Sequence, residues 1–171
     1  MTELFIPSWY VLHTKSRFEN VVYEGLIKKS IEVFLPKVMV RSRRIDRKAM
    51  IRVPLFPGYI FVKSDRTPSN QIEIVKTAGV VRLVGTRNGP VPVSAETIES
   101  LRIMVSGDNK VLTGTDFKKG DRVVVKSGPL EGVIGTFVRY RGIGRIIVSI
   151  EALSQFASVE VDEEDVEILT R

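Results

Sequence analysis

The fold is decided by a nine-residue stretch, PLFPGYIFV at residues 54–62, in which a turn runs into an apolar segment. Pro57 fixes its own backbone φ, and Gly58 permits a sharp change of direction. Aromatic side chains flank this pair, and the residues that follow are apolar. The stretch therefore predicts a turn that leads into a strongly apolar strand.

On both sides of this stretch, hydrophobic periodicity predicts alternating strands and helices. A capping box of Ser16 and Glu19 marks the first helix, and Pro36 requires the second strand to lie at an edge or to carry a bulge. The predicted elements are a strand at 9–13, a helix after 16, strands at 33–39 and 54–62, a short helix near 72–77, a strand at 80–84 and a helix capped by Ser94. This order predicts an α+β domain with a small, mainly antiparallel sheet.

The last third of the chain has a different character, because glycines separate short β-branched runs. These runs lie at 122–126, 133–139, 145–150 and 158–161. Turn signals at such short spacing predict a small all-β barrel. The predicted organisation is a domain at 1–106, a flexible linker at 107–116 and a barrel domain at 117–171.

Charge is distributed unevenly along the chain. Residues 1–106 hold 17 Lys and Arg against 9 Asp and Glu, whereas residues 107–171 hold 9 against 11. Between 37 and 52 there are seven basic residues and one acid, which predicts an exposed basic hairpin or loop. A positive excess confined to one region indicates contact with a polyanion there, although a solvated charged surface would look the same.

Several classes of function lack support in the sequence. There is no cysteine, and His13 is the only histidine, so neither a thiolate site nor a metal-ligand cluster is expected. There is no glycine loop with a phosphate-binding lysine, and we expect no cofactor and no enzymatic activity. Residues 1–9 do not read as a signal peptide, and no apolar run is long enough to cross a membrane, so a cytoplasmic protein is expected.

Three segments together resemble the NusG family. Residues 9–12, WYVL, followed by Phe18 and Glu19, are similar to the family's opening strand and helix. Residues 56–59, FPGY, resemble the most recognisable motif of its N-terminal domain. Residues 120–135 resemble a KOW motif. The resemblance implies an N-terminal α/β sandwich followed by an SH3-like barrel, and a monomeric transcription factor.

For the N-terminal domain, the resemblance implies an apolar pocket that grips the clamp helices of the largest RNA polymerase subunit. The residues that we expect to contribute are Tyr10, His13, Phe56, Pro57, Tyr59 and Leu83. Aromatic side chains suit such a contact, since they bury a large area with little loss of side-chain entropy. The alternative is that these residues simply pack a core.

The same resemblance implies that basic residues contact the non-template strand and the upstream duplex. The residues expected to do so are Lys15, Arg17, Arg43, Arg44, Arg47, Lys48 and Arg82. They would hold phosphates without reading sequence, so that binding would weaken with salt. Residues 69–71, Ser-Asn-Gln, stand where RfaH carries a polymerase-contacting motif that this chain lacks.

For the barrel, the resemblance implies binding to a small-subunit ribosomal protein. The expected contact residues are Leu130, Val133, Leu153 and Phe156. Binding to the termination factor Rho is not expected, because Leu130 and Val133 replace the aromatic residues usual in the housekeeping protein. Frequent glycines and β-branched runs disfavour a helical form, so we predict a barrel that does not refold.

Three functional hypotheses remain open. Residues 54–57, 79–82 and 148–151 resemble RfaH and UpxY-like antiterminators, which favours a specialised factor that suppresses pausing or termination. A housekeeping NusG acting in both termination and antitermination is the alternative. A KOW-type RNA-binding module of the translation machinery is a third, and the net charge of −2 in residues 107–171 argues against it.

Overall fold

Strands and helices alternate along the chain, and a computed structural model describes residues 6–43, 49–116 and 119–169. The helices are α1 (Glu19–Lys28), α2 (Pro68–Val75) and α3 (Ala95–Ser106). The strands are β1 (Ser8–Thr14), β2 (Val33–Phe34), β3 (Lys37–Arg41), β4 (Met50–Pro54), β5 (Tyr59–Ser64), β6 (Val80–Leu83), β7 (Gly85–Thr86), β8 (Gly89–Pro90), β9 (Pro92–Val93), β10 (Leu112–Gly114), β11 (Asp121–Val125), β12 (Ile134–Tyr140), β13 (Ile143–Ile150), β14 (Gln155–Glu160) and β15 (Val166–Ile168). The predicted α+β class is confirmed, and contacts divide the chain into two compact units, Met1–Pro92 and Val93–Arg171.

The first unit is built on an antiparallel sheet in the order β2-β5-β1-β6. One face of this sheet packs against α1 and α2, because alternate residues of β1 and β5 are apolar. The buried residues of this core are Tyr10, Leu12, Val22, Leu26, Ile31, Val33, Ile60, Val62 and Ile74. The predicted strand at 54–62 is therefore real but begins at Tyr59, directly after the turn.

The opposite face of the sheet carries an aromatic cluster. The rings of Phe34 and Phe61 stack with their centroids 6.0 Å apart, and Phe56 meets Phe61 edge-on at 6.3 Å. Phe61 is fully buried and Phe56 is only 1% exposed. The side chain of Phe56 thus anchors the turn at 55–58 to the sheet.

Two predicted helix starts differ from the structure. Ser16 and Glu19 form no capping box. Arg17 adopts a left-handed φ of 66°, the Phe18 N–H donates to the Lys15 carbonyl, and α1 begins two residues later than predicted, with Phe18 as its N-cap. Among the described residues, Glu19 Oε1 is buried without a hydrogen-bond partner.

The second difference concerns α2, which begins at Pro68 rather than near residue 72. The Thr67 hydroxyl accepts a hydrogen bond from the Asn70 N–H, and Pro68 occupies the first helical turn. Proline suits that position because its missing N–H would have no partner there. The helix therefore begins within the polar stretch 64–71, before the predicted helical segment near 72–77.

Pro36 interrupts the predicted strand at 33–39, which the structure divides into β2 and β3. Beyond the interruption, β3 pairs with β4 as a separate two-stranded antiparallel ribbon, with Met39 opposite Arg52 and Val40 opposite Ile51. The predicted basic hairpin is confirmed at its base. Its tip, residues 44–48, lies outside the described residues.

The second unit contains a six-stranded antiparallel sheet in the order β10-β14-β13-β12-β11-β15. Its buried residues come from alternate positions of the strands, for example Ile146, Val148 and Ile150 of β13. The predicted all-β barrel is confirmed in its strands. The sequence did not predict β10 or β15, which have three residues each.

Helix α3 packs on β12 and β13 within this second unit. The Ser100 hydroxyl accepts a hydrogen bond from the Ile134 N–H at 3.0 Å and donates to the Ile134 carbonyl at 3.3 Å. The compact units therefore divide after Pro92, whereas we predicted a boundary after residue 106. The predicted domain boundaries stay a prediction.

In the part of the chain that the structure describes, the helices are too short and too polar to span a membrane.

Candidate functional site

Three of the predicted site residues form one row across the sheet. Tyr59 of β5 lies opposite His13 of β1, and Arg82 of β6 lies opposite His13 on the other side. Directly opposed residues share a face, so all three side chains project from the side away from α1 and α2. The His13 and Tyr59 rings stack at 5.1 Å, and both residues are half-buried.

The turn before β5 is held at the same end of the sheet. The Thr14 N–H donates to the Gly58 carbonyl at 2.8 Å, and the Lys15 N–H donates to the Gly79 carbonyl at 2.8 Å. Gly58 has a φ of 85°, a conformation that side chains other than glycine rarely adopt. Pro57 is consequently exposed beside the His13–Tyr59 stack.

Three cations surround this row. Lys15 and Arg17 lie just past the end of β1, Arg82 lies within the row, and all three are exposed. Lys29, Lys63 and Lys76 each have a glutamate partner, whereas among the described residues Lys15, Arg17 and Arg82 form no ion pair. We call His13, Lys15, Arg17, Pro57, Tyr59 and Arg82 the β1-end site. It presents a stacked aromatic pair bordered by unneutralised positive charge.

A cleft of about 260 Å³ adjoins the site on its β6 side. It is lined by Gln71, Val75, Arg82, Leu83, Gly85, Thr86, Gly89 and Pro90. Gln71 belongs to the polar segment 69–71 at the start of α2. Its neighbour Asn70 is engaged internally, since the Ser64 hydroxyl donates to Asn70 Oδ1 at 2.6 Å. Of these two residues, Gln71 is the one that lines an open cleft.

The remaining predicted polymerase-binding residues lie elsewhere. Tyr10 and Leu83 pack on the opposite face, in the core beneath α1 and α2. Phe56 is buried under the turn. Tyr10 and Phe56 offer almost no surface of their own, whereas Leu83 is half-buried and lines the cleft beside Arg82. Their predicted binding role stays a prediction.

Of the predicted nucleic-acid contacts on the hairpin, Arg43 is exposed next to β3. Arg44, Arg47 and Lys48 lie outside the described residues. Lys37, Arg41 and Arg52 of the ribbon strands were not among the predicted contacts. The signal that could have found them is the aliphatic residue at every second position, Val38, Val40, Ile51 and Val53, which puts the cations together on the other face.

On the barrel, Leu130 and Val133 are buried, with 5% and 0% of their surface exposed, and only Leu153 and Phe156 reach the surface in part. Phe156 lies opposite Gly114 of β10. Ile103 of α3 packs against Gly132, which lies in the loop that joins Leu130 to Val133. The predicted contact set thus divides into two core residues and two partly exposed ones.

No group of three or more His, Asp or Glu side chains within the described residues could hold a metal ion. The β1-end site offers aromatic stacking, apolar contact and attraction of phosphates or carboxylates.

Comparison with known proteins supports one family over most of the chain. The family profile described as "Transcription termination factor nusG" matches residues 7–102, more than half of the chain. The transcription termination/antitermination protein NusG of Borreliella burgdorferi is 28% identical over 94% of this chain and 97% of its own length. The protein of the same name from Thermus thermophilus is 29% identical over 90% of this chain and 94% of its own.

Among solved structures, one of Thermotoga maritima NusG, reported for its domain interaction, is similar in fold. It covers 98% of this chain and is itself covered completely, with a TM-score of 0.55 and 23% identity. The profile match begins just before β1 and ends within α3, so it spans every residue of the β1-end site. The chain belongs to the NusG family of transcription termination and antitermination factors.

Proposed function

We propose that this protein is a cytoplasmic transcription elongation factor that binds RNA polymerase through the β1-end site and suppresses pausing or termination. One observation carries the proposal. The stacked His13–Tyr59 pair, the exposed Pro57 and three unneutralised cations meet at one end of the sheet. An apolar aromatic surface suits the clamp helices of the polymerase, and the adjacent cations suit the DNA that runs past them.

The barrel has a separate proposed role, the binding of a small-subunit ribosomal protein. Leu153 and Phe156 are the residues available for such a contact, since Leu130 and Val133 fill the interior. The net negative charge of residues 107–171 argues against a barrel that grips RNA by itself.

A binding assay with purified core RNA polymerase tests the main proposal. Tyr59→Ala removes half of the stack and leaves the buried Phe56 in place, so the sheet is retained. Because aromatic hot spots at interfaces contribute about 2 kcal/mol or more, we expect affinity to fall by roughly 30-fold. Phe56→Asp is unsuitable, since a charge at a residue only 1% exposed would unfold the domain.

Tyr140→Ala is the matched control, because this tyrosine is exposed on the barrel, in the second unit. It should bind polymerase as the unchanged protein does. Equal affinities for Tyr59→Ala and Tyr140→Ala, in proteins that melt normally, would refute the β1-end site as the docking surface.

Specialised and housekeeping action are distinguished in cells. The relatives compared above are named for both termination and antitermination, which favours a housekeeping NusG as the second candidate. Residues 54–57 and 148–151 favour a specialised relative. Chromosome-wide occupancy separates the two: a specialised factor would follow polymerase on a few operons, and a housekeeping factor on all transcription units.

A further inference from the structure

We propose that β10 is a removable cover of the barrel, which must leave β14 before the barrel binds its partner. We call β10 (Leu112–Gly114) the cover strand. The inference rests on the proposed role of the barrel, because Phe156 is one of the two residues available for that contact. It goes further in naming an autoinhibitory contact within the second unit, made by a strand that lies in the predicted linker at 107–116.

The cover strand closes the free edge of β14. In the six-stranded sheet, β14 lies between β13 and the cover strand, which is the last strand of the order. The cover strand pairs with residues 156–158, half of the six residues of β14. Strand β13 pairs with all six. If the cover strand leaves, half of one edge of β14 is opened, and β13 still holds β14 in the barrel.

Gly114 brings the cover strand directly onto the ring of Phe156. A β-carbon at position 114 would lie 2.5 Å from Phe156 Cζ and 2.9 Å from Cε1. Such distances are too short for any side chain, so glycine is what allows the backbone to lie on the ring. Phe156 is half-buried in this arrangement. The residue that the barrel offers to a partner is therefore the one on which the cover strand lies.

The cover strand is weakly held. It has three residues, and among the described strands only β14 pairs with it. Leu112 is 44% exposed, and Thr113 is exposed as well. Gly114 adds no side chain to the packing of the strand. Segments with few buried apolar contacts open locally far more often than the core of a fold. We therefore expect the cover strand to open while β11–β15 stay folded.

Covering has two consequences for the barrel. An uncovered strand edge pairs readily with strands of other chains, so the cover strand protects β14 while no partner is present. The same contact competes with the partner, because the apparent affinity is reduced to the fraction of molecules in which the edge is open. Only a partner that binds the open form tightly enough to offset this reduction would occupy the barrel.

A disulfide that locks the cover strand tests the inference, because the chain has no cysteine of its own. The variant is Leu112→Cys with Ser158→Cys, two directly opposed positions. Opposed Cβ atoms lie about 4.5–5.5 Å apart, within a small shift of the spacing that a disulfide needs. The full-length variant is bound to purified bacterial small ribosomal subunits, oxidised and reduced. Oxidation should lower the affinity by about 10-fold or more, since the open form is then almost unpopulated.

The opposite variant, Leu112→Pro with Thr113→Pro, weakens the cover strand. Neighbouring N–H groups of a strand point to opposite edges, so one of the two lost N–H groups is a donor to β14. One hydrogen bond corresponds to roughly 3- to 10-fold in an equilibrium constant, and affinity for the subunits should rise by that factor. The matched control is Thr115→Pro with Asp116→Pro, which places two prolines at exposed positions just outside the strand. It should bind as the unchanged protein does.

Two results with the ribosomal subunits would overturn the inference. The first is equal affinity of the oxidised and reduced forms of the locked protein, since the partner would then bind with the cover strand in place. The second is equal affinity of the two proline variants, because any change would then come from a stiffer linker. Reduction of the locked protein should restore its affinity, which shows that the two new side chains are themselves tolerated.

Hydrogen exchange separates this inference from the proposed function, because it needs no partner. In the unchanged protein, amides of the cover strand should exchange at least about 10-fold faster than those of β13, and oxidation of the locked variant should slow them. If no form of the protein binds the ribosomal subunits while the cover strand opens separately, the proposed partner is wrong and the removable strand stands. If the cover strand and β13 exchange at the same rate, the strand is not removable and the inference is overturned.

Discussion

Ser100→Ala isolates the contact between α3 and the sheet of the second unit. Ser100 is 1% exposed, and its hydroxyl bridges the N–H and the carbonyl of Ile134, at the start of β12. Alanine has nearly the volume of serine, and its higher helix propensity favours α3 by a few tenths of a kcal/mol, roughly. The substitution therefore removes two hydrogen bonds, and the control below shares its gain in helix propensity.

The size of the effect depends on the Ile134 N–H and carbonyl, which lose their hydrogen-bond partner. A buried N–H without a partner costs about 1–3 kcal/mol. Ile134 is half-buried, so water can partly replace the hydroxyl, and we expect a loss of about 1–2 kcal/mol in the free energy of unfolding. For a domain of 60–100 residues, this corresponds to a drop of roughly 5–15 °C in melting temperature.

Thermal melting together with hydrogen exchange measures this effect in the full-length protein. The control is Ser106→Ala, because the Ser106 hydroxyl is exposed and donates only to Ile103 within the same helix. If both variants melt alike, the bridge to Ile134 does not stabilise the fold. If the amides of α3 keep their protection while those of β12 lose theirs, α3 folds with the first unit, and the predicted boundary after residue 106 is correct.

Three further substitutions test the first unit. Gly79→Ala should destabilise it by about 1–3 kcal/mol in chemical denaturation, because Gly79 has a φ of 94° and a β-carbon would lie 2.9 Å from Val22 Cγ2; an unchanged midpoint would contradict this. Ile60→Ala should cost about 2–5 kcal/mol in the same assay, since Ile60 is fully buried, and a loss below 1 kcal/mol would mean that the core collapses onto the gap. Hydrogen bonds from the Thr67 N–H and hydroxyl lower the pKa of Asp65. The ionised carboxylate therefore stabilises the fold fully above the ordinary pKa of an aspartate, and this stabilisation is lost as pH falls through the lowered pKa. Asp65→Asn should therefore flatten the dependence of melting temperature on pH below about pH 4, and a slope equal to that of the unchanged protein would count against the Asp65–Thr67 interaction.

Much of the fold was predictable because its signals are local. The alternation of apolar residues in β1 and around Tyr59 reports a half-buried strand wherever the sheet lies. Ser94 caps α3 by accepting a hydrogen bond from the Thr97 N–H, as its sequence position suggests. Pro36 predicted an edge strand or a bulge, and β2, which ends just before it, lies at the edge of its sheet. In each case a few neighbouring residues determine the local conformation.

Other features depend on partners that are distant in sequence. Ser16 and Glu19 have the spacing of a capping box, but the left-handed conformation of Arg17 moves the start of the helix past them. Thr67 would have been recognised as a cap only if the polar stretch before residue 72 had been read as helical. The local sequence pattern does not determine where these helices begin. It shows which backbone conformations are accessible, and contacts with residues distant in sequence determine which of them is adopted.

Exposure was the least predictable property of the candidate site. Phe56, Pro57 and Tyr59 are close neighbours, yet Phe56 is buried, Pro57 is exposed and Tyr59 is half-buried. Gly58 reverses the chain between them, so adjacent side chains point to different surroundings. The sequence predicted the motif correctly, and the sheet determines which members of the motif reach a partner.

The place of β1 in the sheet also has a consequence for biosynthesis. This strand is made well before its partners: Leu12 pairs with Ile60 on one side and with Leu83 on the other, roughly 50 and 70 residues later. At translation rates of about 5–20 residues per second, the wait for the second partner lasts roughly 4–14 s. Throughout that time the nascent chain carries an apolar strand with at least one edge unpaired, a form prone to pairing with other chains. Codons that slow the ribosome between residues 14 and 80 should therefore lower the yield of folded protein more than slow codons placed after residue 84.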